Sequence, residues 1–288
     1  MIRHSFRRKL RIPKIACNNP FHFVAPGLRA RRKAALSFLL IFVFLLLTSC
    51  AKPKVPLPPY PDFVSATQKS VPDAVVEIYG KYAVDFSGKR YRSKFNLLLK
   101  PGQDAYLELL DPSDHLLYAV SITRDRVGML WAGDRQYIDE TATPQNLNAI
   151  AGLSLDPDDL LMLIAGYGLN FSEWQTKGQR KNGWDLVRPP FFGELLLQER
   201  LSRIIIRGSG PEVRVSYDDY QLIDNRSIPR DITFDIPARK IVIQWNIDKF
   251  LVRDEPATKD LFDLQLPPDV KRISLQDVYH GKPLLLQY

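Results

Sequence analysis

The sequence predicts a mainly β fold, a curved and incomplete antiparallel β-barrel of about eleven strands with short α-helices capping its concave side. Three observations carry that reading. From Val71 onward, apolar and polar residues alternate with period two; the runs are joined by very short turn-forming connections; and two capped apolar segments interrupt the alternation near the middle.

The first strands are read at Val75 to Phe86, Arg90 to Leu99, Ala105 to Leu110 and Leu116 to Thr123. Between them lie Ser87-Gly88-Lys89, Pro101-Gly102-Gln103 and Asp111-Pro112-Ser113-Asp114, all residue types that favour tight turns. Val127 to Trp131 and Gln136 to Ile138 follow across Ala132-Gly133-Asp134. Connections this short cannot cross over to a parallel neighbour, so the segment is an antiparallel meander.

The period then changes. Thr143 is placed to cap a short helix beginning at Pro144 and ending near Gly152. Asp156-Pro157-Asp158-Asp159 opens a second helix, with three carboxylates at its positive end, Leu160, Leu161, Leu163 and Ile164 along it, and Gly166 and Gly168 beyond. Strands resume at Trp184 to Val187, Glu194 to Glu199, Ser202 to Arg207, Val213 to Tyr217, Asp231 to Ile236 and Ile241 to Trp245. A twisted sheet of this size must curl, split or close. Laying the two apolar helices across its concave side buries both surfaces.

Charge separates the chain into two regimes. Residues 1–49 hold ten basic residues and no Asp or Glu, whereas residues 50–288 hold 30 basic and 32 acidic ones. The basicity therefore belongs to the leader, and a nucleic-acid partner is not expected, since affinity for phosphates needs positive charge on the folded surface. Ala34 to Leu47 is a 14-residue apolar run broken only by Ser37, behind Arg29, Arg31, Arg32 and Lys33. That length suits a secretory signal rather than a bilayer span of about 20 residues. Five prolines between Ala51 and Pro61 suggest an extended tether. The expected organisation is a signal peptide with a long basic n-region at 1–49, a Pro-rich tether at 50–70, a half-barrel at 71–275 and a tail at 276–288.

Leu47-Thr48-Ser49-Cys50 resembles the lipobox of bacterial lipoproteins, which implies a lipidated Cys50 (diacylglycerol thioether, palmitate) as the first mature residue, with Ala51 after it implying the outer membrane. In the body, Tyr106-Leu107-Glu108-Leu109-Leu110-Asp111-Pro112, then Gly152-Leu153-Ser154-Leu155-Asp156 and Leu160 to Gly166, are similar to the pattern of the LolA/LolB superfamily. Leu261-Phe262-Asp263-Leu264-Gln265-Leu266-Pro267-Pro268-Asp269-Val270 resembles that superfamily's closing segment. The resemblance implies a lipid-anchored outer-membrane lipoprotein facing the periplasm. Its partners would be acyl chains of lipoproteins or lipids, held in an apolar hollow, together with the membrane and a periplasmic carrier protein. Leu99, Leu109, Met129, Trp131, Leu160, Leu163, Ile164, Phe234, Ile243 and Trp245 are the candidate lining residues, although the same alternation describes a filled core. The polar residues after Asp111-Pro112 depart from the receptor pattern, which has an apolar side chain there.

Catalysis is not expected. Asp158 with Asp159, and Asp218 with Asp219, are sequence neighbours whose side chains diverge, so neither pair converges on one bond. His115 has no accompanying nucleophile motif. Residues 50–288 offer one thiol and two histidines, His115 and His280, too few for a Cys-His metal site, and no cofactor is indicated. Phe191-Phe192 after Pro189-Pro190 reads as an aromatic turn. The alternative to a lipid carrier is a structural lipoprotein that docks a protein partner and has no lipid ligand.

Overall fold

The computed structural model describes residues 57–198, 200–208, 210–223, 225–253, 259–279 and 283–286. They form one open sheet of 14 strands with helices on its inner face. Among the described residues helix α1 (Tyr60–Ser70) comes first. A meander follows: β1 (Val76–Phe86), β2 (Lys89–Lys100), β3 (Asp104–Leu110), β4 (Leu116–Ile122), β5 (Arg126–Trp131) and β6 (Gln136–Thr141). Helices α2 (Pro144–Ala151) and α3 (Pro157–Ile164) lead to a second meander. Its strands are β7 (Gln175–Arg180), β8 (Gly183–Arg188), β9 (Phe191–Gln198), β10 (Arg200–Arg207), β11 (Val213–Ile223), β12 (Arg226–Ile236) and β13 (Ile241–Val252). Near the end come the short strand β14 (Lys271–Arg272), helix α4 (Leu275–Val278) and a 3-10 turn at Leu284–Leu286.

The strand order explains why the helices lie where they do. Antiparallel pairing of β1 with β13 places the two meanders side by side, leaving β6 and β14 at one edge and β7 at the other. The chain between β6 and β7 must therefore travel from one edge of the sheet to the other. It does so across the inner face, where α2 and α3 bury Leu147, Ile150, Leu160, Leu161 and Leu163. Thr143 caps α2 by accepting from the Asn146 N–H at 3.2 Å, and Gly152 ends it at φ 80°, a left-handed conformation that glycine adopts without a Cβ clash. Asp156 caps α3 through the Asp158 N–H at 3.1 Å.

Burial follows the alternation. Val76, Ile78, Tyr82 and Val84 of β1, Phe95, Leu97 and Leu99 of β2, and Ile241, Ile243, Trp245 and Ile247 of β13 all point inward and are buried. At Gly80 a bulge lets β13 come so close that a Cβ would lie 2.1 Å from the Asn246 carbonyl oxygen. β4 and β5 are buried on both faces. Their outer side is covered by the segment around Phe262, whose carbonyl accepts from Ser121 Oγ at 2.6 Å, and by Leu264 against Gly128.

Described parts of the expected tether and tail form secondary structure. The tether read at 50–70 gives way at Tyr60 to a helix that packs on the domain. Pro59 and Pro61 sit at its N-terminus, where a missing N–H costs no hydrogen bond. The tyrosine ring meets Trp184 at 5.5 Å, and Phe63 meets Phe171 at 5.3 Å and Trp184 at 5.1 Å. Within the tail read at 276–288, the described Leu284 joins the core and is 1% exposed. Residues 1–49 and Cys50 lie outside the described residues. Among the described residues no helix is long and apolar enough to cross a membrane.

Candidate functional site

Beside a wider hollow of ≈ 700 Å³ around Lys81, Arg90, Asp231 and Gln244, two apolar-lined spaces lie on the inner face among the described residues. The larger, a groove of ≈ 350 Å³, lies where β1 to β5 leave the helices behind, and Val84, Leu109, Tyr118 and Trp131 form its floor. Tyr91 and Leu117 stand at its rim, 37% and 39% exposed, and so extend the apolar lining to the groove's mouth. Arg92, Ser93 and Asp134 complete the rim. This volume falls at the lower end of the range of about 300 to 1,000 Å³ typical of small-molecule sites.

The second space is a small, partly enclosed apolar cavity of ≈ 50 Å³ beneath the helices. Leu147, Ile150, Leu160 and Ile164 meet Phe234, Ile243 and Trp245 across it. Little free space remains beneath the helices, and most side chains around it are buried. Of the ten candidate residues, Leu160, Ile164, Phe234, Ile243 and Trp245 line this cavity, and Leu109 and Trp131 line the outer groove. Leu99, Met129 and Leu163 are 0% exposed and line neither space; they are packed core.

Sequence reading missed the residues that shape the groove most. Tyr82, Val84 and Tyr91 could have been found by extending the inward parity along β1 and β2 to their ends. Leu285, which lines both spaces, carries no periodic signal at all. Burial raises the pKa of the Tyr82 phenol well above its ordinary value.

The helix layer is fastened by an ionic cluster built around the buried Asp159. Asp159, 2% exposed, accepts from Arg188 Nη1 at 2.9 Å, from the Asn170 N–H at 2.9 Å and from Trp174 Nε1 at 3.2 Å. The same guanidinium reaches Asp156 at 3.0 Å and Glu173 at 2.7 Å. Burial pushes the Asp159 carboxyl up to about 6 although the hydrogen bonds and Arg188 pull it down. The second half of the Asp158-Asp159 pair is therefore more than a helix-terminal charge. It ties α3 to the turn at Phe171–Glu173 and to β8. Tyr217 adds a further tie, its hydroxyl donating to the Leu163 carbonyl at 3.2 Å.

The turn after β3 is closed and polar. Asp111 Oδ1 accepts from the Ser113 and His115 N–H groups at 2.7 and 3.0 Å, and Asp114 pairs with Lys94 at 2.7 Å. The His115 N–H in particular holds the Asp111 carboxyl below its usual range. Leu116 and Leu117 belong to β4, as expected, but Leu117 is turned to the groove rim. Of the aromatic turn, Phe191 is buried and Phe192 is exposed, with Lys177 Nζ 6.0 Å from its ring.

No protein-family model and no curated protein matches the chain by sequence. Solved structures do match by shape. A DUF1329 family protein from Desulfovibrio piger aligns with a TM-score of 0.51 at 11% identity, over 70% of this chain and 95% of that one. A LolA superfamily protein from Nitrosomonas europaea gives 0.51 at 11% identity, over 70% and 97%. An outer membrane lipoprotein-sorting protein domain from Vibrio parahaemolyticus gives 0.50 at 8% identity, over 69% and 94%. What these chains share with this one is the unclosed antiparallel sheet wrapped around short helices, and the chain accordingly has a LolA/LolB-like fold.

Proposed function

We propose that this chain is a non-enzymatic, lipid-anchored protein of the outer membrane, facing the periplasm. In this reading it holds an acyl chain of a lipoprotein or lipid and thereby aids lipoprotein localisation or outer-membrane assembly. The observation that carries the proposal is the open groove of ≈ 350 Å³, apolar on its floor and rimmed by exposed Tyr91 and Leu117, on the inner face of a LolA/LolB-like half-barrel. An acyl chain in water exposes methylenes worth about 0.8 kcal/mol each, and an apolar groove is the surface that offsets that cost during transfer. The lipobox-like run before Cys50 supports the anchor.

The test is to purify the full chain, extract it with organic solvent and identify lipid by mass spectrometry, then titrate an apolar fluorescent probe. Stoichiometric fatty acid or diacyl lipid, or saturable probe uptake, is the expected result. A lipid-free protein that also ignores the probe would remove the reading. For the anchor, palmitate labelling of wild type and Cys50→Ala should differ; equal labelling would refute lipidation there. The filled interior favours a second reading, a structural lipoprotein docking a protein partner through the curved sheet, and the lipid-free result would select it.

A further inference from the structure

Leu285 and Tyr82 are the two residues common to the linings of the outer groove and the inner cavity, so together they are the wall between them. They reach that position from opposite ends of the chain. Tyr82 is fixed in the middle of β1, its ring 5.1 Å from Trp245 in an edge-on contact, and it cannot withdraw without opening the sheet. Leu285 sits on the 3-10 turn at Leu284–Leu286. Behind it Pro283 lies against α2, close enough that a Cβ on Gly152 would be 2.9 Å from Pro283 Cγ. Leu284 next to it is 1% exposed, whereas Leu285 is only half-buried, so the turn is anchored by one leucine and presents the other to the groove.

We infer that Leu285 sets the length of the hydrocarbon chain the groove accepts. The inference rests on the acyl-binding reading above and narrows it: the ligand class is a single, short-to-medium alkyl chain unless Leu285 gives way. With Leu285 in place, a chain entering past Tyr91 and Leu117 runs along Val84 and Leu109 and ends at the leucine. Without it, the groove continues into the cavity bounded by Leu147, Ile150 and Leu160. Tyr82 is the fixed half of this stop and Leu285 the adjustable half.

The experiment uses the full chain and its Leu285→Ala and Leu285→Trp variants, each incubated with an equimolar mixture of decanoate and palmitate. Native mass spectrometry reads the ratio of the two bound acids. Wild type should retain decanoate in preference. Leu285→Ala should shift the ratio towards palmitate by about tenfold, the effect of burying roughly two further methylenes. Leu285→Trp should shift it further towards decanoate. Because Leu285 is half-buried, the folded fraction of each variant is checked by circular dichroism, and the two substitutions act in opposite directions, so the failure of one to fold leaves the other decisive. Binding with the same ratio in wild type and either folded variant overturns the gate while leaving acyl binding intact. Failure of wild type to bind either acid overturns both.

Discussion

Replacing Asp159 by Asn should change how stability responds to pH, and the structure fixes the sign. The carboxyl is 2% exposed, and its pKa is raised from an unfolded value near 3.8 to about 6 because burial outweighs its hydrogen bonds and Arg188. Between these values the native state binds more protons than the unfolded state, so stability falls as pH rises. The stability contributed by the protonated carboxyl is full below about pH 4 and is lost as pH climbs through about 6. A shift of roughly two units corresponds to about 3 kcal/mol at 1.36 kcal/mol per unit, an upper bound for this site. Asn keeps the shape and can still accept from Trp174 and from the Asn170 N–H, but it does not titrate. Urea unfolding followed by tryptophan fluorescence, at pH steps from 4 to 7.5, should therefore show wild type losing about 2 to 3 kcal/mol relative to D159N. Parallel curves for the two proteins would refute the reasoning, and Asp159 would then be ionised throughout as an ordinary ion-pair partner.

Other substitutions test the remaining pieces. Arg188→Met leaves Asp159, Asp156 and Glu173 without their shared cation and should destabilise the domain by about 3 to 5 kcal/mol, read from urea midpoints at pH 7. Phe63→Ala removes the contacts with Phe171 and Trp184; a loss of about 1 to 3 kcal/mol and faster proteolysis within α1 are expected, and an unchanged cleavage rate would mean the helix is not docked by these rings. Gly80→Ala drives a methyl into the Asn246 carbonyl oxygen, so soluble yield and melting temperature should drop sharply. Leu117→Asp places a charge on the groove rim and should weaken apolar probe uptake about tenfold while leaving the urea midpoint nearly unchanged, since the residue is already 39% exposed.

How much of the fold could be read from the chain depended on which side chains meet the core. Strands with one buried face, such as Val213 to Tyr217 and Ile241 to Trp245, announced themselves by parity, and the two helices by their caps. What escaped notice lacks that signal for physical reasons. β7, Gln-Thr-Lys-Gly-Gln-Arg, is an edge strand with almost nothing to bury, so it has no apolar period; its charges and the irregularity at Thr176/Gly178 suit an edge that must not pair with other chains. The start of β12 was lost because Pro229 stands inside it, opposite Tyr220, and proline in a run argues against a strand. α1 was hidden by the prolines around its first turn, the one helical position that accepts them. The sequence assigned inward faces correctly at the candidate site, yet Leu99, Met129 and Leu163 share the parity of Leu109 and Trp131 and are simply packed. Parity reports which way a side chain points, not whether anything stands opposite it.

On the acyl-binding reading proposed above, the division of the interior into an open groove and a tightly packed centre follows from what an empty carrier can sustain. A dry apolar void costs about 24 cal/mol per Å³, so sealing a space of ≈ 350 Å³ beneath the helices would cost about 8 kcal/mol. That is comparable to the whole stability of an ordinary domain, about 5 to 15 kcal/mol. A protein that must wait unliganded has two ways to avoid this cost. It can leave the space open to water, as the groove between Tyr91, Leu117 and Trp131 does, or it can fill the space with its own side chains, as Leu160, Ile164, Phe234 and Trp245 do around a remnant of ≈ 50 Å³. Both solutions coexist in this chain, and the boundary between them is the contact zone of Tyr82 and Leu285. Ligand that stays in the groove needs only displaced water, whereas ligand that goes deeper must move a side chain already packed. On that reading the depth of binding would be set by the packing around Leu285 rather than by the area of apolar surface the sheet encloses.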